Sequence, residues 1–447
     1  MGSKLRQIGQ NLRGSLWFTP SVLVLMAIVL AFGMIALDRA IGIKMAITLP
    51  LVFDADPDGA RAVLSTIASS VLTVASVSFS ITVLVFSFAS AQYSSRTLRN
   101  FMEDRTNKLV LGTLLATVVY CLLVLRTIHG NNPTYITTVF VPALSVTVAL
   151  LLALLDLGLF TFLIHHIAES FQAASVIKRV ADELSKAIDQ LYPQQLGQGA
   201  TEAPAAAVAS NPDQGTRIPA ERAGYLQEID ATSLLDLAGK HDLLIVIEKQ
   251  VGSYVVAGET LARAIPEERV TQAICAHISA FFAYGPHRTV DQDARFGFIQ
   301  LTDIATKALS PGINDPTTAV MCLDQISRLL RQLANRSFPA QTRCDPQGAP
   351  RVIAPRPGFA TMVDQCFDPL RRYGMADAAI PIKMIQVLGA VAAEINDADR
   401  LNVLAEHADS IIEAAGQHTK LRRDQRLVAA AVGDLPLSLQ LRLTNQI

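Results

Sequence analysis

The chain has 447 residues, of which 51% are hydrophobic and 17% charged, with a formal net charge of −1. That length suffices for more than one domain, and the near-zero charge argues against nucleic acid as a partner. Five cysteines (Cys121, Cys275, Cys322, Cys344, Cys366) form no close pair, so reduced thiols are expected rather than a disulfide framework or a zinc site.

The first 20 residues, MGSKLRQIGQNLRGSLWFTP, are basic. The apolar run after them has no small-residue cleavage site, which predicts an uncleaved first span rather than a signal peptide. Four stretches are long enough to cross ~30 Å of hydrocarbon as a helix, which takes about 20 residues. They are 21–37, 63–90, 109–128 and 136–164, with Trp17 as an interfacial anchor before the first. The tail (Lys4, Arg6, Arg13), the second loop (Arg96, Arg99, Arg105, Lys108) and the stretch after span four (Lys178, Arg179, Lys186) hold ten basic residues. The first loop (Arg39, Lys44, Arg61) and the edge of the third (Arg126) hold four. The positive-inside rule then predicts a multi-pass inner-membrane protein with both termini cytoplasmic. The outer tip carries Asp54, Asp56 and Asp58, read as a solvated loop in preference to a cation-attracting vestibule.

The second span is unlike the others. In VLSTIASSVLTVASVSFSITVLVFSFAS, 11 of 28 residues are Ser or Thr and none is charged. Hydroxyls in hydrocarbon face another helix, their own backbone or water. Ser65, Ser69, Thr73, Ser76, Ser80 and Ser87 recur at steps of 4, 4, 3, 4 and 7, which puts them on one helix face. Thr66, Ser70, Ser78 and Thr82 lie off it. Two readings are open: a hydrated path, where hydroxyls replace part of an ion's hydration shell, or close packing, with each hydroxyl bonded one turn back. Both require burial, which an assembly supplies more easily than four helices alone.

Asp156 is the acidic residue deep in span four, and an ionisable group at that depth is a functional candidate by default. Hydrogen bonding to Tyr120 or another hydroxyl, or pairing with Lys108, are the structural alternatives. His165 and His166 are about 100° apart on a helix and unsuited to chelating one metal; they are read as interface anchors, with a His165–Glu169 pair geometrically accessible. The 92–108 loop, QYSSRTLRNFMEDRTNK, is basic enough to touch anionic headgroups, though the positive-inside signal alone accounts for it.

Beyond span four, 166–192 is expected to be a juxtamembrane helix. The stretch 193–223, rich in Ala, Pro, Gly and Gln, reads as a flexible linker. Strands are predicted at 224–230 and 243–249, followed by a tight turn and two short strands in 252–264. There VGSYVVAGETL resembles the hairpin of biotinyl- and lipoyl-type barrels, without a lysine placed for a prosthetic group. From Pro266 helical patterns dominate: a helix opening at Pro266-Glu-Glu-Arg, another over 292–309, and a third capped at Asn314-Asp315-Pro316. A hairpin or irregular excursion follows over 343–357, then helices near 359–370, 379–395, 399–417, 421–432 and 436–444. The turn at 310–316 is read as rigid and interhelical rather than phosphate-binding, because no Walker pattern accompanies it.

FGFIQLTDIATKALSPGINDPTTAVMCLDQI (296–326) and SVSFSITVLVFSFASAQYSSRTLRNFMEDRTNKLVLGTLLATVVYCLLVL (76–125) together resemble a bacterial family described only as predicted membrane proteins, domain of unknown function 2254. The resemblance covers nearly the whole chain and implies an integral inner-membrane protein with a cytoplasmic C-terminal domain. It brings no catalytic residues.

The expected fold is an α-helical membrane protein with four transmembrane helices and a mostly helical α+β cytoplasmic C-terminal domain containing a small β segment. Its divisions are a basic tail (1–20), a transmembrane domain (21–165), a juxtamembrane helix (166–192), a linker (193–223), a β-rich segment (224–265) and a helical domain (266–447). No G-x-S-x-G, H-E-x-x-H or C-x-x-C is present, and no enzyme activity, cofactor or metal is expected. The expected partners are the lipid bilayer, further copies of the chain and a small ion or solute. The leading functional expectation is a homo-oligomeric channel or transport-type protein with a cytoplasmic assembly or gating module. The alternative is a membrane-anchored scaffold or sensor whose cytoplasmic domain binds a partner or small ligand.

Overall fold

The computed structural model describes residues 17–41, 56–92, 104–129, 140–192 and 214–444. The basic tail before Trp17, Asp54, most of the 92–108 loop and 193–213 of the expected linker lie outside them. The described residues fold as two units that divide after Gln172.

The first unit is four apolar helices: α1 (Phe18–Ile41), α2 (Pro57–Gln92), α3 (Arg105–Leu125) and α4 (Ala143–Ser170). Each is long and apolar enough to cross a membrane. At 1.5 Å per residue, α2 with its 36 residues is about 54 Å long. Span four was expected from 136, whereas α4 begins at Ala143 with Pro142 at its N-cap. Phe140, just before it, instead forms an isolated antiparallel bridge with His129.

Helix α3 is the centre of this bundle. Half of its apolar window is buried, against 22% or less for the other three, and it packs on all of them. Gly112 explains how close α1 comes: a Cβ there would lie 2.9 Å from Pro20 Cα and 2.7 Å from Leu23 Cδ1. The core is aliphatic, with Leu64 and Val71 of α2, Leu114 and Val118 of α3, and Val146 and Ala149 of α4.

The second unit opens with α5 (Ala173–Leu191), whose Val176, Ile177, Val180, Leu184 and Ile188 form one buried face. Next come β1 (Thr216–Pro219), β2 (Gly224–Ile229), α6 (Ala231–Lys240), β3 (Leu244–Ile247), β4 (Tyr254–Val255), β5 (Thr260–Ile265), α7 (Gln272–Ser279) and β6 (Phe282–Gly285). The remainder is α8 (Ala294–Ala308), α9 (Pro316–Leu333), β7 (Thr342–Cys344), β8 (Pro350–Ile353), α10 (Phe359–Tyr373), α11 (Ala379–Ala392), α12 (Ala398–His418), α13 (Arg422–Gly433) and α14 (Leu437–Thr444). A five-stranded sheet has the order β1-β5-β3-β8-β7, and a three-stranded one the order β4-β2-β6. Leu226, Leu234, Ile245, Leu261 and Ile278 bury their side chains between these strands and α6 and α7.

Several expectations change here. The β region does not end at 265, because β8 pairs in parallel with β3 and β6 pairs with β2. Strand β1 falls inside the stretch read as linker and pairs antiparallel with β5. VGSYVVAGETL is not a hairpin: β4 pairs with β2 and β5 with β1 and β3, so its two strands belong to different sheets. Pro266-Glu-Glu-Arg opens only a single 3-10 turn, and α7 starts later, where Thr271 caps it through Ile274 N at 3.3 Å. Asn314 adopts φ +49°, and the cap of α9 is Asp315, which accepts from Thr318 N at 3.1 Å and from its hydroxyl at 2.5 Å.

Candidate functional site

Helix α2 packs one largely aliphatic face on the bundle and leaves a mixed face of hydroxyls and large apolar residues (Leu72, Val77, Phe79, Val83, Leu84, Phe88) outside. Ala60, Leu64, Ile67, Ala68, Val71, Ala75 and Ser78 are buried against the bundle. Ser65, Ser69, Thr73, Ser76, Ser80 and Ser87 are all exposed on the outside of the protomer. The periodicity that puts six hydroxyls on one stripe also turns that stripe away from α3, because the interleaved aliphatic residues claim the interior. A path through the middle of the four helices is therefore not lined by this stripe.

Each stripe hydroxyl is already used as a donor. Ser65 donates to Ala62 O (3.0 Å), Ser69 to Thr66 O (3.1 Å), Thr73 to Ser69 O (2.9 Å) and Ser76 to Leu72 O (2.9 Å). Ser80 donates to Ser76 O (2.9 Å) and Ser87 to Val83 O (3.2 Å). Bonding back to the preceding turn satisfies the proton and leaves oxygen lone pairs facing out. Off the stripe, Thr66, Ser78 and Thr82 do the same, to Ala62 O, Val74 O and Ser78 O. Towards the C-terminal part of α2, Phe79, Ser80, Val83, Leu84 and Ser87 border a shallow surface concavity.

Asp156 of α4 points into the bundle with 2% exposure, and neither carboxyl oxygen has a hydrogen-bond partner. Its neighbours on α3 are Thr117 and Cys121. The buried Thr117 hydroxyl is the polar group that interacts with the Asp156 carboxyl, though the pair does not form a well-formed hydrogen bond. The alternative partner Tyr120 is turned elsewhere, donating its hydroxyl to Ser145 O at 3.0 Å. No hydrogen bond joins Asp156 to Lys108, which is buried near the start of α3.

Two polar contacts at the ends of the bundle were not anticipated. Asp38, in the last turn of α1, is 8% exposed and accepts from Leu144 N (2.9 Å), Ser145 N (3.0 Å) and Ser145 Oγ (2.5 Å). It caps α4 from another helix, where Pro142 at the N-cap offers no side-chain bond of its own. The sequence signal was present but discontinuous, an acid beside the end of one span and a Pro-x-x-Ser at the start of another. At the opposite end, His166 Nε2 lies 2.8 Å from Asp104 Oδ2, while Asp104 Oδ1 caps α3 through Thr106 N at 2.8 Å. His166 thus ties α4 to α3 rather than serving only as an interface anchor. His165 lies 3.3 Å from Glu169. Asp56 and Asp58 sit at the start of α2, the first accepting from Gly59 N (3.1 Å), the second 3.5 Å from Arg61.

In the second unit the polar contacts hold elements together. Arg351 of β8 donates to Asp345 (2.7 Å) and to Asp242 (2.6 Å), and Asp242 also pairs with Arg269. The Arg351 guanidinium holds both carboxyls below the ordinary carboxylate range, assisted at Asp242 by Arg269. Arg400 of α12 donates to Ala334 O (2.7 Å) and Arg336 O (3.0 Å) beyond the end of α9, with its guanidinium over Phe338 and Phe359. Among the described residues no group of three or more His, Cys, Asp or Glu is placed to hold a metal ion.

A family model described as "Predicted membrane protein (DUF2254)" matches residues 13–390. The chain belongs to this family. It is similar to uncharacterized proteins of Mycobacterium bovis and Mycobacterium tuberculosis, each 29% identical over 441 residues, which is 96% of this chain and 82% of the relative. No solved structure matches it. All four apolar helices of this DUF2254 protein, including the one carrying the hydroxyl stripe, lie wholly within the matched residues.

Proposed function

We propose that this DUF2254 protein works in the inner membrane as a homo-oligomer in which the hydroxyl face of α2 meets its counterparts, forming either a seam or a hydrated path between protomers. The observation that carries this reading is the outward position of the stripe: six hydroxyl residues exposed on a membrane-length helix, between exposed apolar residues such as Leu72, Val77 and Leu84, while another aliphatic face packs on the bundle. Small hydroxylated residues let helix backbones approach closely, and their lone pairs favour a polar neighbour over acyl chains. A channel or transport activity follows if water enters between the copies, because a ring of hydroxyl oxygens can replace hydration without trapping the ion. The second unit then acts as a cytoplasmic assembly or gating module.

The satisfied donors favour a second reading in which the protein is a membrane-anchored scaffold or sensor and the stripe only packs. Liposome flux distinguishes them. Conduction predicts ion or solute flux that Ser76→Leu and Ser80→Leu abolish in folded protein. No flux across a range of potentials and pH, with the same variants altering only the oligomer, removes the channel and leaves the scaffold.

A further inference from the structure

We propose that Asp156 is the binding site of one monovalent cation, a proton or an alkali-metal ion, inside the four-helix bundle. The proposal does not rest on assembly through α2, because the site lies between α4 and α3 of one protomer. A carboxylate removed from water is costly unless a positive charge and hydrogen bonds compensate it. At Asp156 both oxygens are buried and make no well-formed hydrogen bond, and the one polar side chain that interacts with them is the buried hydroxyl of Thr117, a neutral group. A neutral hydroxyl does not balance a carboxylate in an apolar interior, so the requirement for one positive charge remains unmet.

The surrounding elements supply none. From Trp17 to Leu37, α1 carries no titratable side chain, and its Asp38 is engaged with the start of α4. Helix α2 has none between Arg61 and Gln92. On α3, Cys121 faces Asp156 and Tyr120 turns to Ser145. Lys108 is nine residues before Thr117, about 13 Å along the helix. On α4 itself the next ionisable residue is His165, also nine residues away, with His166 held by Asp104. A bound proton neutralises the acid, and its O–H is then offered to Thr117. A bound alkali ion instead takes the two carboxylate oxygens and the Thr117 hydroxyl as part of its shell.

Hydrophobic carbodiimides read such a site directly. The protonated carboxyl adds across one C=N bond, its oxygen joining the central carbon and its proton passing to nitrogen. In the absence of water the acyl group migrates to nitrogen, so a stable adduct carries one whole reagent molecule and nothing leaves. The full-length protein in liposomes is treated with dicyclohexylcarbodiimide, or with a water-soluble carbodiimide, across a pH series in choline, sodium or potassium chloride. The peptide containing Asp156 is then weighed. The expected result is an adduct on Asp156 from the hydrophobic reagent alone. A yield that falls with rising pH equally in all three salts identifies the proton. A yield suppressed by sodium or potassium relative to choline at one pH identifies the metal ion. Thr117→Val shifts the half-yield pH or salt concentration by about fivefold in cation concentration, the value of one modest hydrogen bond. An unlabelled Asp156 in protein whose other carboxyls react overturns the proposal. So does labelling by both reagents that is indifferent to pH and to salt.

Discussion

Removing the Asp38 carboxylate should cost the bundle more than an ordinary cap. Asp38 receives three hydrogen bonds from the first turn of α4, two of them from backbone N–H groups and one at 2.5 Å from a fully buried serine hydroxyl. Loss of a side-chain cap costs about 0.5–2 kcal/mol, and bonds to a charged acceptor are each worth about 1.5–3 kcal/mol. In Asp38→Ala the Ser145 hydroxyl can turn to another acceptor, whereas the Leu144 and Ser145 N–H groups have no such freedom. The expected loss is therefore about 2–4 kcal/mol. Asp38→Asn retains one acceptor and should lose about half as much, and Ser145→Ala about 1 kcal/mol. Denaturant titration of the purified protein in nanodiscs, followed by the exposure of Trp17 and by helix content, measures each value. If Asp38→Ala unfolds within about 0.5 kcal/mol of the parent, the cap from α1 contributes nothing and the explanation of how α4 is held fails.

Three further outcomes follow from contacts elsewhere. Gly112→Val drives a branched side chain into the α1 backbone at Pro20 and should destabilise the bundle by about 1–3 kcal/mol, measured by the same titration, while Gly33→Val, where the space is open, should not. The pairs of Arg351 with Asp345 and Asp242 depress both folded carboxyl pKa values, so their stabilisation is present above the unfolded value of about 4 and lost as pH falls through the folded values. The difference in melting temperature between the parent and Arg351→Met should accordingly narrow below about pH 4, and a difference unchanged by acid would contradict it. Burial pushes the Cys322 and Cys366 thiols up, so iodoacetamide at mild alkaline pH should modify half-exposed Cys344 well before either. Peptide mass analysis checks the order.

Uninterrupted apolar length made the membrane helices legible in sequence, and Ser-rich spacing made the α2 stripe legible as a stripe. What periodicity could not supply was its direction: both faces of α2 are membrane-compatible, and only packing against α3 decides which is inside. In the second unit, helices with a clear apolar face, such as α9 and α12, could be located from sequence because burial and period coincide. Strands as short as β1 and β6 could not, since four residues carry too little alternation to register. The pairing of β8 with β3 joins residues about a hundred positions apart, which no local pattern encodes. Asp38 escaped for the same reason, because its partners are 106 and 107 residues away. Asp156 was conspicuous because a charge in an apolar run needs no partner to be noticed.

The claim that the outward hydroxyl face of α2 joins copies of the chain is tested most directly by disulfide trapping in native membranes. Single cysteines replace Ser69, Ser76 or Ser80 on the stripe, or Val29 on the exposed side of α1, after the native cysteines have been exchanged for serine or alanine. Oxidation should give covalent dimers from the stripe positions and none from Val29. Dimers absent from every stripe position, with each introduced thiol still reactive to a membrane-permeant maleimide, would contradict assembly through this face.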